Sequence, residues 1–510
     1  MLARFLSAAL PVGTASSTRS VRTDQACRIG SVVAGACIAA LLAHASLAQD
    51  MTVDRFRESA LDAMGAVEVE RIELTGAGWD ACLGQAWNVN DGWARWEIRD
   101  YRRVIDYADT ASLQTAMRRA AMDPDKVGGC GAQPNAEPTR QQSRIGADSP
   151  WPDQLPIWLT PHGFLHLAER EDATISAEGD GWKVEVRVPR GDVVYTLNGY
   201  YGQDVLLERV ETWIDDTVFG DMLVEAEFDD YRSFGELLFP QSLVYKQGGL
   251  ATLDLTIDGV VPNTDAETSV PGGGARPGGG GGGAPAASAE PYVEIGDGIF
   301  VMPGAYQGVA VELDEFAVVI DGLQNDDRSR ELIRLTHEAI PDKAIRYVVV
   351  THSHFDHASG LRAFADEGAT VLTHFANVEF FERALSAPRT LSSDESLRRP
   401  ATPVNVQGVD GRFVISDGSG QSVELHALEG HVHADDMLIA YLPRVRAIVE
   451  SDLLQPWINP IFGGGGHPYL IHLHDELERL GLDYEQFVPV HRPPEPPTMP
   501  KAALLEAVGR

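Results

Sequence analysis

Three histidines and an aspartate fall within six residues of one another in the run Thr351-His352-Ser353-His354-Phe355-Asp356-His357. Imidazole nitrogens and carboxylate oxygens in one cluster suit zinc, and also iron or manganese. The run follows Arg346-Tyr347-Val348-Val349-Val350, which reads as a buried strand. In extended backbone, residues i and i+2 point the same way, so His352 and His354 converge on one ion. Asp356 and His357 open the next helix and point back from another direction, toward a second ion. A histidine cluster placed directly after an apolar strand is hard to explain as core packing.

The surrounding elements supply the frame. Ala317-Val318-Val319-Ile320 reads as a strand that ends in Asp321-Gly322. Ser329 to Ala339 is helix-like, Leu361 to Phe364 continues the histidine run as a helix closing at Gly368, and Ala369 to Thr373 is another strand. Strands alternating with helices imply a layered α/β domain.

The run matches the HxHxDH motif, and its surroundings resemble the metallo-β-lactamase superfamily over about residues 292–510. The resemblance implies an αββα sandwich. It implies a first metal site of His352, His354 and His433, and a second of Asp356, His357 and His491, with Asp452 bridging the two. Asp321 resembles the family's supporting aspartate. In Gly430-His431-Val432-His433, the Gly-His wording favours His431, but the offset to the following strand, Met437 to Tyr441, places the ligand at His433 and leaves His431 beside it. Such a centre holds two zinc ions, with iron or manganese as alternatives. It uses a metal-bridging hydroxide, with Asp356 as the catalytic carboxylate orienting the nucleophile or passing a proton. Members with lactamase activity often carry cysteine or serine where this chain has Asp452. A bridging aspartate is usual in glyoxalase II-like, lactonase-like and phosphodiesterase-like members, so the expected substrate is an ester, thioester, lactone, lactam or phosphoester. Two other readings belong to the same residues: a di-iron or sulfur-related redox member, and a non-catalytic envelope binding protein. No flavin-domain pattern accompanies the first, and seven retained ligands argue against the second.

The rest of the chain sets the context. A run PGGGARPGGGGGGAP from Pro271 to Pro285 cannot bury a core. It predicts a flexible linker over about 266–290, between an N-terminal α+β domain at about 51–265 and the catalytic domain at about 291–510. In the N-terminal part, Trp182 to Val188, Val194 to Leu197, Leu206 to Ile214, Leu223 to Phe228, Ser242 to Lys246 and Thr252 to Ile257 alternate as the half-buried strands of a curved antiparallel sheet. Their order resembles periplasmic lipoprotein-carrier-type domains. Helices are expected at about 51–63 and 110–122. His162 and His166 read as surface histidines, and Asp215-Asp216 and Asp229-Asp230 as turns between strands.

Arg19, Arg22 and Arg28 precede an apolar run from Ile29 to Leu47 that ends in small residues, the pattern of a secretory signal over residues 1–48. This predicts a periplasmic or secreted protein with no stable membrane span after processing; a membrane anchor is the alternative reading. Removal of the signal leaves Cys82 and Cys130, a candidate disulfide pair in an exported protein. A net charge of -34 with no basic stripe excludes nucleic acid as a partner and leaves a small-molecule substrate.

Overall fold

Alternation along Gly181–Arg190 buries Trp182, Val184, Val186 and Val188 on one face of a sheet and leaves Lys183, Glu185 and Arg187 on the other. The same period runs through the N-terminal half of a computed structural model, which describes residues 51–121, 129–130, 137–268, 290–418, 420–454, 468–491 and 496–510. The expected signal segment and the glycine-rich linker lie outside the described residues. Val53–Arg510 forms one compact unit.

Eleven antiparallel strands make the first sheet: β1 (Arg71–Cys82), β2 (Ala94–Asp106), β3 (Ala111–Ala120), β4 (Thr139–Ile145), β5 (Asp172–Glu178), β6 (Gly181–Arg190), β7 (Val193–Tyr201), β8 (Leu207–Asp216), β9 (Gly220–Phe234), β10 (Leu237–Gln247) and β11 (Leu250–Pro262). Their order is β4-β3-β2-β1-β11-β10-β9-β8-β7-β6-β5, so β1 closes against β11 in the middle, Ile72 opposite Pro262. The helices Val53–Ala63, Trp151–Trp158 and Pro161–Arg170 contribute aromatic rings to its core. Phe56 meets the edge of Tyr201 at 4.8 Å, and Trp151 lies 5.8 Å from Tyr195. Phe164 occupies the space that a Cβ on Gly199 would need.

Three sequence expectations change here. The segment expected to be helical at about 110–122 is the strand β3, paired on both sides with Leu113, Ala116 and Ala120 buried. Its helix-forming composition yields to that long-range pairing. Asp229-Asp230 lies inside β9, where Asp230 takes φ of 54°, while Asp215-Asp216 does lead into a turn. His162 and His166 sit on the helix Pro161–Arg170, and His162 is 1% exposed, stacked 6.2 Å from Phe239. It is a core residue, because the helix turns its N-terminal face into the sheet.

The C-terminal half has two sheets. One contains β12 (Val293–Gly296), β13 (Ile299–Met302), β14 (Gly308–Glu312), β15 (Phe316–Ile320), β16 (Ala344–Val349), β17 (Thr370–His374) and β18 (Val406–Val409), in that order. The other contains β19 (Arg412–Ser416), β20 (Ser422–Ala427), β21 (Leu438–Leu442), β22 (Ala447–Glu450), β23 (Gln486–Pro489) and β24 (Met499–Pro500). Val309, Val318 and Val349 of the first pack with Leu425, Ala440 and Val488 of the second in one shared core. Leu332, Leu361 and Phe381, from the helices Asp326–Ala339, Leu361–Asp366 and Val378–Ser386, pack with Val319 and Val348. Leu473 and Leu504, from Pro468–Leu480 and Lys501–Ala507, pack with Ile439 and Ile448. Pairs β15–β16 and β22–β23 run parallel, so their carboxyl ends leave each sheet on one side.

The two halves interlock through the turn between β8 and β9. The guanidinium of Arg362 donates to the carbonyls of Thr217 and Val218 in that turn, and to those of Ala384, Leu385 and Ala387 in its own half, at 2.6–3.1 Å. Burial, and then the charges of Arg399 and Arg389, push its pKa down to about 10. Arg389 pairs with Asp215 and Asp326, and Asp221 accepts from Thr390 and Leu391. Among the described residues, no helix is long and apolar enough to cross a membrane.

Arg362→Ala strands five carbonyls and lowers stability by about 3 kcal/mol, measured by denaturant unfolding. Burial, then the charge of His166, pushes the pKa of His162 down to about 3. Unfolding restores an ordinary value near 6.5, so the unfolded chain binds more protons below pH 6.5 and stability is lost as the pH is lowered through that value. Between pH 7 and pH 5 the wild-type protein loses about 2 kcal/mol more than a His162→Leu variant, measured by parallel denaturant melts.

Candidate metal centre

Four strand ends, one loop and the short helix Phe355–Ala358, which carries Asp356 and His357, place the side chains. Asp321 follows β15, His352 and His354 follow β16, Asp452 follows β22 and His491 follows β23; His433 lies in the loop between β20 and β21. Asp321 and Asp452 both take left-handed backbone, with φ of 50° and 64°. That conformation costs a non-glycine residue about 1 kcal/mol or more, and here it aims each carboxylate inward from its strand.

The structure brings all seven expected ligands together in two overlapping groups. His352, His354, His433 and Asp452 form one; Asp356, His357, Asp452 and His491 form the other; the donor atoms within each group lie within 4.8 Å of one another. His352 Nε2 is 3.0 Å from His354 Nδ1 and 3.3 Å from His433 Nε2. Asp452 Oδ2 stands 3.3 Å from His433 Nε2, 3.4 Å from His357 Nε2 and 3.7 Å from His352 Nε2, while its Oδ1 is 2.6 Å from His491 Nδ1. The shared carboxylate is the one expected to bridge.

The opposite ring atoms fix which nitrogen each histidine offers. Asp321 Oδ1 accepts from Gly322 N–H at 2.6 Å and from His357 Nδ1 at 3.0 Å, and Ser451 Oγ also lies 3.0 Å from that nitrogen. Asp321 Oδ2 accepts from the Thr351 hydroxyl, whose oxygen lies 3.1 Å from His352 Nδ1. One buried carboxylate therefore holds His357 directly and His352 through the Thr351 hydroxyl, each at Nδ1, and leaves both Nε2 atoms facing the centre. His354 is turned the other way: its Nε2 donates to the Ala86 carbonyl at 2.8 Å, which leaves Nδ1 facing inward. His431 Nδ1 accepts from the His433 backbone N–H at 3.1 Å, so His431 supports the loop while His433 enters the cluster. Asp436 accepts from the Ser353 backbone N–H at 3.0 Å and from Asn377, which anchors the histidine run from below.

The donor set fits divalent cations. His357 Nε2 is buried and has no hydrogen-bond partner, although two carboxylates lie within 3.6 Å. Burial opposes a charge on His357, and the carboxylates of Asp321, Asp452 and Asp356 outweigh it, raising its pKa well above the usual value. Burial and the neighbouring imidazoles hold His352 well below its usual value, and burial with His433 pushes His354 down to about 3. Burial opposes ionisation of Asp452, yet His357 and the other imidazoles hold its pKa well below the carboxylate range. Neutral His352 and His354 beside an ionised Asp452 suit metal binding, whereas His357, charged by the carboxylates around it, would give up its proton to a cation.

Tyr306 was not legible in the sequence. Its hydroxyl donates to Asp356 Oδ2 at 2.8 Å, and its ring stacks on His491 at 4.4 Å. Gln85 was missed as well, and its amide donates to Asp356 Oδ1 at 2.7 Å. Cys82 and Cys130 form a disulfide.

A sequence model described as the metallo-beta-lactamase superfamily matches residues 304–491, the segment that carries all seven expected ligands. This part of the chain belongs to that superfamily. A curated relative, the 2,4-dinitroanisole O-demethylase subunit alpha of Nocardioides sp., is 21% identical over 198 residues, 38% of this chain and 54% of the relative. The chain thus spans about half the length of the curated relative it matches. Among solved structures, a metallo-beta-lactamase from Pontibacter korlensis is 18% identical, covering 43% of this chain and 96% of that one, with a TM-score of 0.31. A stereoselective inverting sec-alkylsulfatase from Pseudomonas sp. is 17% identical, covering 42% and 40%, with a TM-score of 0.30.

Asp321→Ala removes the anchor of two imidazoles at once. Metal affinity then falls about 10- to 100-fold in competition with a chromogenic chelator, while the fold, followed by circular dichroism, is kept.

Proposed function

We propose that the chain is an exported dinuclear zinc hydrolase whose superfamily domain is an αββα sandwich, acting on an ester, thioester, lactone, lactam or phosphoester. The observation that carries this reading is Asp452, a single buried carboxylate common to both donor groups. His352, His354 and His433 would hold one ion, Asp356, His357 and His491 the other, and Asp452 both. Cations held there would supply an activated water near neutral pH and polarisation of the substrate oxygen.

The chain's own residues do the rest. Asp356 is the carboxylate placed to orient the attacking water or hold its proton, with Tyr306 and Gln85 fixing it from either side. Side-chain exposure is 30% for Asp356 and 18% for His491, against 0% for His352 and His357 and 6% for His433, so a substrate meets the centre from the side of Asp356 and His491. The name of the Nocardioides relative adds aryl ethers to the substrates worth testing. Iron or manganese in place of zinc is compatible with the same nitrogen and oxygen donors. The signal-like N-terminus, whose segment lies outside the described residues, supports export to the periplasm or beyond.

Purified protein should carry two zinc ions per chain by elemental analysis. In a screen of lactams, lactones, thioesters, phosphodiesters and aryl ethers, it should lose its activity to a chelator and regain it with zinc. His352→Ala with His354→Ala should abolish both the first ion and turnover. Unchanged activity in that double variant, or two irons per chain with no hydrolysis, overturns the proposal.

A further inference from the structure

The histidine run is gripped from outside its own sheets. Where β1 ends, the chain leaves the eleven-stranded sheet and crosses to the metal centre. Gly84 O accepts from the Phe355 backbone N–H at 3.0 Å, and Gly84, at φ of 75°, packs so closely on the Phe355 ring that a Cβ would stand 2.2 Å from it. Gln85 Nε2 donates to Asp356 Oδ1 at 2.7 Å, and Ala86 O accepts from His354 Nε2 at 2.8 Å. Trp87 Nε1 donates to His431 O at 2.9 Å, and Trp87 O accepts from Asp435 N–H at 2.8 Å. Four consecutive residues thus contact, in order, the helix that follows His354, an expected ligand of the second ion, an expected ligand of the first ion, and the loop carrying His433.

The orientation of Gln85 is decided by its second partner. Its Oε1 accepts from the Cys130 backbone N–H at 3.1 Å. A carbonyl oxygen engaged there obliges the NH2 end to face Asp356. The neutral donor fits the carboxylate without adding charge to the site. Cys130 is itself joined to Cys82 at the end of β1 by the disulfide, so the holder of Gln85 is covalently tied to the strand from which Gln85 emerges.

We propose that Gln85, supplied by the N-terminal half of the chain, is a positioning residue of the metal centre that sets the orientation of Asp356 toward the second ion. This assigns the N-terminal sheet a part in the catalytic centre, and it rests on the two-metal reading above. Asp356 has a side-chain exposure of 30% and projects from a helix of only four residues, so its own half of the chain fixes it weakly. Tyr306 holds Oδ2; without Gln85, Oδ1 loses its protein donor and the carboxylate turns about that single hydrogen bond.

The test is a stepwise cobalt(II) titration of metal-free full-length protein, wild type against Gln85→Leu, with chelator competition and the ligand-field spectrum read at each step. In the variant, the dissociation constant of the second ion rises about 10- to 100-fold and the spectral increment on its binding changes, while the first ion binds as in wild type. The first ion is the internal control, because His354 is held by Ala86 on the same loop: a loop that merely loosened would weaken both ions. Equal weakening of both, or an unchanged second constant and spectrum, overturns the assignment of Gln85. Wild-type protein that takes up no second ion overturns the two-metal reading itself, and the assignment with it.

Discussion

The carboxylate of Asp452 stands within 3.7 Å of four imidazoles and is 7% exposed. Removing such a charge from water costs several kcal/mol unless compensating charge and donors surround it. The imidazoles cannot all supply that charge as protons, because burial and mutual repulsion keep His352 and His354 neutral. His357, whose pKa the surrounding carboxylates raise, supplies part of that charge, and divalent cations held by the same donors would supply the rest. Much of the surrounding architecture follows. Rings that would otherwise rotate away from one another are locked at their far nitrogens by Asp321, Thr351, Ser451 and the Ala86 carbonyl. The strain of left-handed backbone at Asp321 and Asp452 is carried by the hydrogen-bonded strands that end there.

That constraint explains why the two halves of the chain are interlocked and not merely tethered. A short helix such as Phe355–Ala358 has too few backbone bonds of its own to define a carboxylate within a few tenths of an ångström. Phe355 is instead wedged between Trp93 and Phe219 of the N-terminal half, at 5.7 and 5.5 Å. The flanking residues His354 and Asp356 are fixed from the same side. The buried Arg362 and Arg389 contacts keep the β8–β9 turn seated, and with it Phe219. Rigidity is thus delivered to the ligand run from two separate points on the large sheet.

Most of the expected ligands could be read from the sequence because His352, His354, Asp452 and His491 follow strand ends and Asp356 and His357 continue the same run, while His433, in a loop, was found by its offset to the strand after it. The layered α/β organisation was legible for the same reason. What escaped was long-range. Gln85 lies 271 residues from Asp356, and Ala86 acts through a backbone carbonyl that any residue would provide. Tyr306 carried no motif. In the N-terminal half, β6 to β11 announce themselves by clean alternation, but β2, with Arg95, Arg99, Arg102 and Arg103 within its length, does not look like a strand. Its arginines pair laterally, as Arg102 does with Glu73. β3 hid behind helix-forming residues, since its pairing with β2 and β4 is invisible without the sheet.

The same geometry bears on which face of the centre is free to evolve. The side of His354 and His431 is closed by Ala86 and Trp87, whose contacts are with backbone and ring atoms and leave little to vary. Solvent reaches the centre at Asp356 and His491, next to the Tyr306 ring. On the two-metal reading proposed above, a substrate group would approach over the expected ligands of the second ion, among them Asp356, which Gln85 and Tyr306 contact. A chain built this way can keep a fixed ligand set while the groups around Asp356 and His491 change the chemistry it accepts.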